Sequence, residues 1–182
     1  MSERIVLHNV RISYAHVFQP HAFEGQEPKH SAQFILPKDH PETKKFYAAL
    51  VEKAKEKWPA KVTSGKFPGS LTCPLRDGDT EFEDREEYRG CYFFNARSAK
   101  RPQLFQPDKS QLTEDDNLLF SGDYVNVSVS LFAYDKGGNR GVGVALLGVQ
   151  FKRKGEPLGG HGDCTDDFEE EEVEAAANDD LF

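Results

Sequence analysis

The chain has few of the residues that lock a fold covalently or carry out chemistry. Its 182 residues include three cysteines, Cys73, Cys91 and Cys164, odd in number, widely spaced and without a CxxC pair. That argues against a disulfide framework or a four-cysteine zinc site, and suits reduced thiols in a cytoplasmic protein. No apolar run approaches the roughly 20 residues of a membrane span. The opening MSERIVLHNV lacks the basic-then-apolar pattern of a secretion signal, so no membrane role is expected. There is no GxxxxGK[ST] phosphate loop and no Gly-flanked serine nucleophile. GVGVALLG (141–148) does not fit GxGxxG and falls on a strand rather than at a strand-to-helix turn. No catalytic constellation and no cofactor are expected.

Basic residues are also missing from one end. From Asp163 onward ten acids stand without a single Lys or Arg, although the whole chain holds 23 basic and 31 acidic side chains. The net charge of −8 therefore belongs to the end of the chain, and residues 1–162 carry 23 basic against 21 acidic groups. A block of like charge repels itself and stays solvated, so residues 163–182 are expected to form a disordered acidic tail behind one domain, residues 1–162. The tail ends in Asp179, Asp180, Leu181 and Phe182. Solubility needs no terminal aromatic. An acidic tip with a Phe anchor suits a partner's apolar pocket with a basic rim, or competition for a basic groove.

The chain is rich in aromatics, with 14 Phe and 6 Tyr, and in alternating segments. RIVLHNVRIS (4–13) and HSAQFIL (30–36) read as strands separated by a loop rich in Pro, Gly and His. DHPETKKFYAALVEKAKEKW (39–58) is the one main helix. Asp39 or His40 serves as its cap, Pro41 falls in its first turn, and Phe46, Tyr47, Leu50, Val51 and Ala54 form its apolar stripe. Residues 60–89 are loop-rich. GCYFFNARS (90–98) is a third strand, RPQLFQPD (101–108) a short extended arm, and 123–134 with 141–151 a hairpin around DKGGNR. This order predicts a β-dominated fold with one main helix, a small curved antiparallel sheet closing into a five-stranded barrel with long loops.

Within DGDTEFEDREE (77–87), Phe82 stands where a calcium loop needs glycine and Tyr88 where it needs glutamate. A two-metal nuclease assembled from this loop and a DNA-mimicking adaptor acting through the acidic tail remain as alternatives. No metal site is expected. On the third strand Cys91, Phe93, Asn95 and Arg97 share a face, which Arg97 marks as the wet one, so Phe93 is expected to be exposed. On the next strand Val125, Val127, Val129 and Leu131 form a core row. Tyr124, Asn126, Ser128, Ser130, Phe132 and Tyr134 face the other way. Phe93, Asn95, Arg97, Lys100, Arg101, Phe132, Tyr134, Lys136 and Arg140 thus combine stacking platforms with cations, the chemistry that holds a single nucleic-acid strand.

NARSAKRPQ (95–103), the block SGDYVNVSVSLFAYDKGGNRGVGVALLGVQFKRKGEPLGG (121–160) and the acidic end resemble a family of bacteriophage single-stranded-DNA-binding proteins. The resemblance covers most of residues 1–162. It implies an OB-fold barrel, binding of single-stranded DNA without catalysis, and replication or recombination proteins as partners of the tail. A homodimer is compatible with it. The helix placed before the third strand departs from the simplest OB order and is similar to the phage replication-type binding proteins.

Overall fold

The computed structural model describes residues 4–22, 25–158 and 167–173. Nine elements follow in order: β1 (Arg4–His21), β2 (Lys29–Pro37), α1 (Thr43–Lys57), β3 (Arg76–Asp77), α2 (Gly78–Glu81), β4 (Cys91–Ser98), β5 (Gln103–Phe105), β6 (Tyr124–Lys136) and β7 (Asn139–Arg153). The sheet runs β3-β4-β2-β1-β6-β7-β5. A parallel pairing of β4 with β7 at Arg97 and Ala145 closes β4, β2, β1, β6 and β7 into a barrel. The five-stranded barrel is therefore as expected, with the helix ahead of its third strand.

Alternation fixes the inside of this barrel. Val125, Val127, Val129 and Leu131 of β6 are all buried, as are Val142, Val144, Leu146, Val149 and Phe151 of β7. The spacing of the β7 set slips between Leu146 and Val149 because a bulge opposes Ser128 and Val129 to Gly148 and Leu146, restoring the inward face after one extra residue. Helix α1 adds Phe46, Leu50 and Ala54 to the same core. Phe46 packs on Phe94 with ring centroids 4.8 Å apart, and Phe94 on Phe34 at 5.4 Å.

Several local expectations need correction. Strand β1 continues to His21, well past Ser13, because residues assigned to the loop go on pairing with β2 at His16–Ser31 and His21–Lys29. The helix starts at Thr43, so Pro41 precedes it and neither Asp39 nor His40 is its cap residue. Glu42 holds that position, but its carboxylate turns to β1, accepting from the His8 N–H at 2.6 Å and approaching the His8 ring at 3.0 Å. His40 helps from outside, its Nδ1 accepting from the Glu42 N–H at 3.1 Å while its Nε2 donates to the His8 carbonyl at 2.8 Å. The extended arm forms β5, paired in parallel with β7. The loop-rich stretch before β4 folds into a small lobe of β3, α2 and a 3-10 turn at Glu86–Tyr88.

Candidate nucleic-acid interface

The β6–β7 hairpin presents Phe132 and Tyr134 on the outer face, directly opposite Gly143 and Gly141 in the β-ladder. Glycine leaves room for both rings there. A methyl group at Gly143 would overlap the Phe132 ring, and one at Gly141 would meet the Tyr134 hydroxyl and the Thr72 backbone. Each ring therefore lies over a bare stretch of β7, and Phe132 keeps 45% of its surface exposed. The Thr72 segment is stitched alongside, with Thr72 N–H donating to the Arg140 carbonyl at 2.8 Å and Val142 N–H to the Thr72 carbonyl at 3.2 Å. Between hairpin, Thr72 segment and β4 opens a groove of about 500 Å³, lined by Phe132, Tyr134, Asn95, Arg97, Arg76 and Lys29 among others.

A second groove of about 530 Å³ lies on the other side of β4 and shares Asn95 and Arg97 with the first. Its walls include Tyr14, His16, His21 and Phe82. Tyr14 sits at φ 47°, in the left-handed region, where β1 slips register against β2, and this departure turns a 51% exposed ring outward. Arg85 holds the ring: its Nη1 donates to the Tyr14 hydroxyl at 2.8 Å while its guanidinium also pairs with Glu87 at 2.7 Å. The His16 and His21 rings stack at 4.3 Å, 13° from parallel. Burial, then the neighbouring His21, lowers the pKa of His16, which favours its neutral, stackable form. Together the grooves form one track across β2 and β4, between the β1–β2 connection and the β6–β7 hairpin. That is where barrels of this type take oligonucleotides.

Of the residues singled out from sequence, the structure gathers Asn95, Arg97, Phe132 and Tyr134 on this track. Phe93 corrects the expectation of an exposed aromatic: it shares the outer face with Asn95 but is 1% exposed. The lobe covers it, with Phe82 at 5.1 Å and Tyr88 at 5.4 Å between centroids, in a small outer core shared with Ile35. Arg101 lines a different hollow beside β5, and exposed Lys100 follows the groove residues Ser98 and Ala99. Lys136 and Arg140 lie exposed at the hairpin end, Arg140 3.2 Å from Asp135. Asp179, Asp180, Leu181 and Phe182 fall outside the described residues. Sequence reasoning missed Tyr14, His16, His21, Lys29 and Arg76 as groove residues. The one signal for Tyr14 was the break in alternation after Ser13.

Four of the seven acids of the 77–87 loop pair with nearby cations. Asp77 and Asp79 both contact Lys38 at 2.9 Å, Glu81 pairs with Arg76 at 2.7 Å, and Glu87 with Arg85. The Gly90 N–H and then Lys38 hold the Asp79 pKa below the usual carboxylate range. Asp77 also accepts from the Asp79 N–H and so caps α2. These carboxylates organise the lobe that covers Phe93.

The sequence profile of a family described as Enterobacter phage Enc34, ssDNA-binding protein, matches residues 3–181. Protein p50 of Acyrthosiphon pisum secondary endosymbiont phage 1 is 33% identical over 165 residues, covering 87% of this chain and 88% of that protein. Among solved structures, the single-stranded DNA-binding protein from bacteriophage Enc34 in complex with ssDNA superposes with a TM-score of 0.74 at 26% identity, covering 86% of this chain and 89% of the other. The single-stranded DNA binding protein gp2.5 of bacteriophage T7 shares the fold, with a TM-score of 0.61 at 16% identity over 97% of this chain and 100% of that one.

Proposed function

The chain belongs to the phage Enc34 ssDNA-binding protein family, and from that premise we propose that it binds single-stranded DNA without catalysis and with broad sequence tolerance. The observation that carries this reading is the continuous track across β4, with aromatic rings at both ends and cations between them. Bases stack on Phe132 and Tyr134 on one side and on Tyr14 on the other, because every base offers a π-face. Phosphates meet Arg97, Arg76 and Lys29, with Lys100, Lys136 and Arg140 available where the strand leaves the groove. Phe93 packs beneath the lobe, as part of its core and outside the groove.

The domain comprises residues 1–162 and the acidic tail residues 163–182. The tail competes with DNA for the groove and offers Asp179–Phe182 to replication or recombination proteins of the infected cell's cytoplasm. Leu158 supports the first of these roles, since it packs against the Ile35, Tyr88 and Phe93 cluster whose neighbour Phe82 lines the groove. Leu158, the last residue described before residue 167, thus lies against the lobe that walls the second groove. Binding assays with labelled single-stranded DNA, duplex DNA and RNA test the reading, and single-stranded DNA is expected to bind tightest. A divalent-metal-dependent cut in the labelled strand would favour the nuclease alternative, which the ion-paired state of the acidic loop argues against. Deleting residues 163–182 is expected to tighten strand binding, with a gain that shrinks as salt rises. Unchanged affinity would remove the competitive role. A tail-less protein with no strand affinity would instead favour the DNA-mimic adaptor.

A further inference from the structure

Beneath the meeting point of the two grooves lies a hydrogen-bonded relay with a defined direction. Gln33 on β2 stands opposite Asn95 on β4 and is 5% exposed. A buried amide needs partners at both its oxygen and its nitrogen. Tyr88, with no exposed surface, donates its hydroxyl to the Gln33 Oε1. Burial raises the Tyr88 pKa, partly opposed by Arg85, so the phenol keeps the proton it donates. With its oxygen claimed, Gln33 turns its Nε2 to Asn95 and donates to Oδ1 at 3.3 Å. One of the two lone pairs of the Asn95 oxygen is thereby used, and the bond sets which way the amide faces. Among the described residues this is the one hydrogen bond that its side chain makes, and Asn95 is exposed where the two grooves join. The relay leaves the Nδ2 amino group, a pure donor, for whatever enters.

We propose that Asn95 is a specificity-determining residue that donates to a carbonyl oxygen of a stacked base, and that Gln33 and Tyr88 are its positioning residues. This rests on the single-strand reading above and adds a bias to it. An amino group accepts nothing, so it pairs with the O4 of uracil or thymine and the O6 of a keto purine. Nδ2 cannot donate to the amino groups that cytosine and adenine carry at the same positions. The cations on either side address phosphate, which leaves the amide to the base edge lying between the rings. Binding stays tolerant of sequence because stacking does not depend on the edge, but keto bases gain one hydrogen bond.

The test uses the full chain and fluorescence anisotropy with labelled oligonucleotides matched in length: oligo-dU against oligo-dC, and hypoxanthine against adenine in a constant background. The wild type is expected to favour the keto member of each pair by roughly three- to tenfold, the net worth of one hydrogen bond. Asn95→Ala, an exposed substitution, should bring both ratios close to one. Tyr88→Phe leaves Asn95 in place but lets Gln33 turn over, so the ratios should fall in folded protein. A purely structural Tyr88 would shift the melting midpoint and leave the ratios alone. Tight wild-type binding with ratios near one would overturn the proposal. So would an Asn95→Ala variant that weakens both members of a pair equally, which would assign Asn95 to phosphate. If no oligonucleotide binds, the single-strand reading itself fails, a distinguishable result.

Discussion

Phe93 and Phe132 occupy equivalent positions in the sequence pattern, both outward-facing on barrel strands beside polar neighbours, yet they end in opposite environments. Phe132 lies over Gly143 at the groove mouth and is 45% exposed, whereas Phe93 lies under the 78–88 lobe and is 1% exposed. Strand alternation assigns a side chain to a face of the sheet but does not say what covers that face. Over β7 the cover is missing because glycines leave the surface bare. Over β4 it is supplied by Phe82 and Tyr88 from a lobe held through Lys38, Arg76 and Arg85.

The sharpest way to break this contrast is to truncate both rings. Phe93→Ala should cost about 3–5 kcal/mol of folding stability in denaturant melts, as for a buried aromatic in a core, while affinity per folded molecule holds. Phe132→Ala should reverse the pattern, losing on the order of 1–3 kcal/mol of single-strand affinity with a nearly unchanged melting midpoint. If both variants lose stability and neither loses affinity, the hairpin aromatics are packing residues. Gly143→Val asks whether the bare surface matters, because its side chain must displace the Phe132 ring. It should lose affinity comparable to Phe132→Ala with the ring still present, and normal binding would show that the ring need not lie flat.

The charged rim should respond less. Replacing Arg97 or Lys29 by Ala should each lower the slope of log K against log salt by roughly 0.7 if each meets one phosphate. Slopes unchanged from the wild type would place the strand elsewhere. Arg140→Ala should give the smallest effect, below about 1 kcal/mol in stability, because its bond to Asp135 is an exposed pair.

Much of the barrel was legible because its signal is local. The Val125–Leu131 row, the DKGGNR turn and the stripe of α1 each declare themselves within a dozen residues. The track was only partly legible because it is assembled across the closure. Arg97 meets Ala145 through a parallel pairing, and Lys29, Arg76 and Tyr14 arrive from three separate strands, β2, β3 and β1. Tyr14 looks like a loop residue because its positive φ interrupts the alternation that would have carried the strand to His21. The lobe over Phe93 was hidden for a related reason. Its acids look like a solvated run until Lys38, Arg76 and Arg85, distant or neighbouring in sequence, are brought against them.

The central claim is that a single strand crosses β4 between the Phe132–Tyr134 pair and Tyr14. Ultraviolet crosslinking with 5-bromodeoxyuridine placed along an oligonucleotide, followed by mass spectrometry of the peptides, tests this directly. Phe120 makes the comparison fair, since it is 49% exposed and carries the Lys154 ammonium 4.8 Å over its ring, but lines neither groove. Crosslinks are expected at Phe132, Tyr134 and Tyr14, with none at buried Phe93. Crosslinks concentrated at Phe120 and neighbouring Tyr124, with the hairpin and Tyr14 unlabelled, would contradict the account.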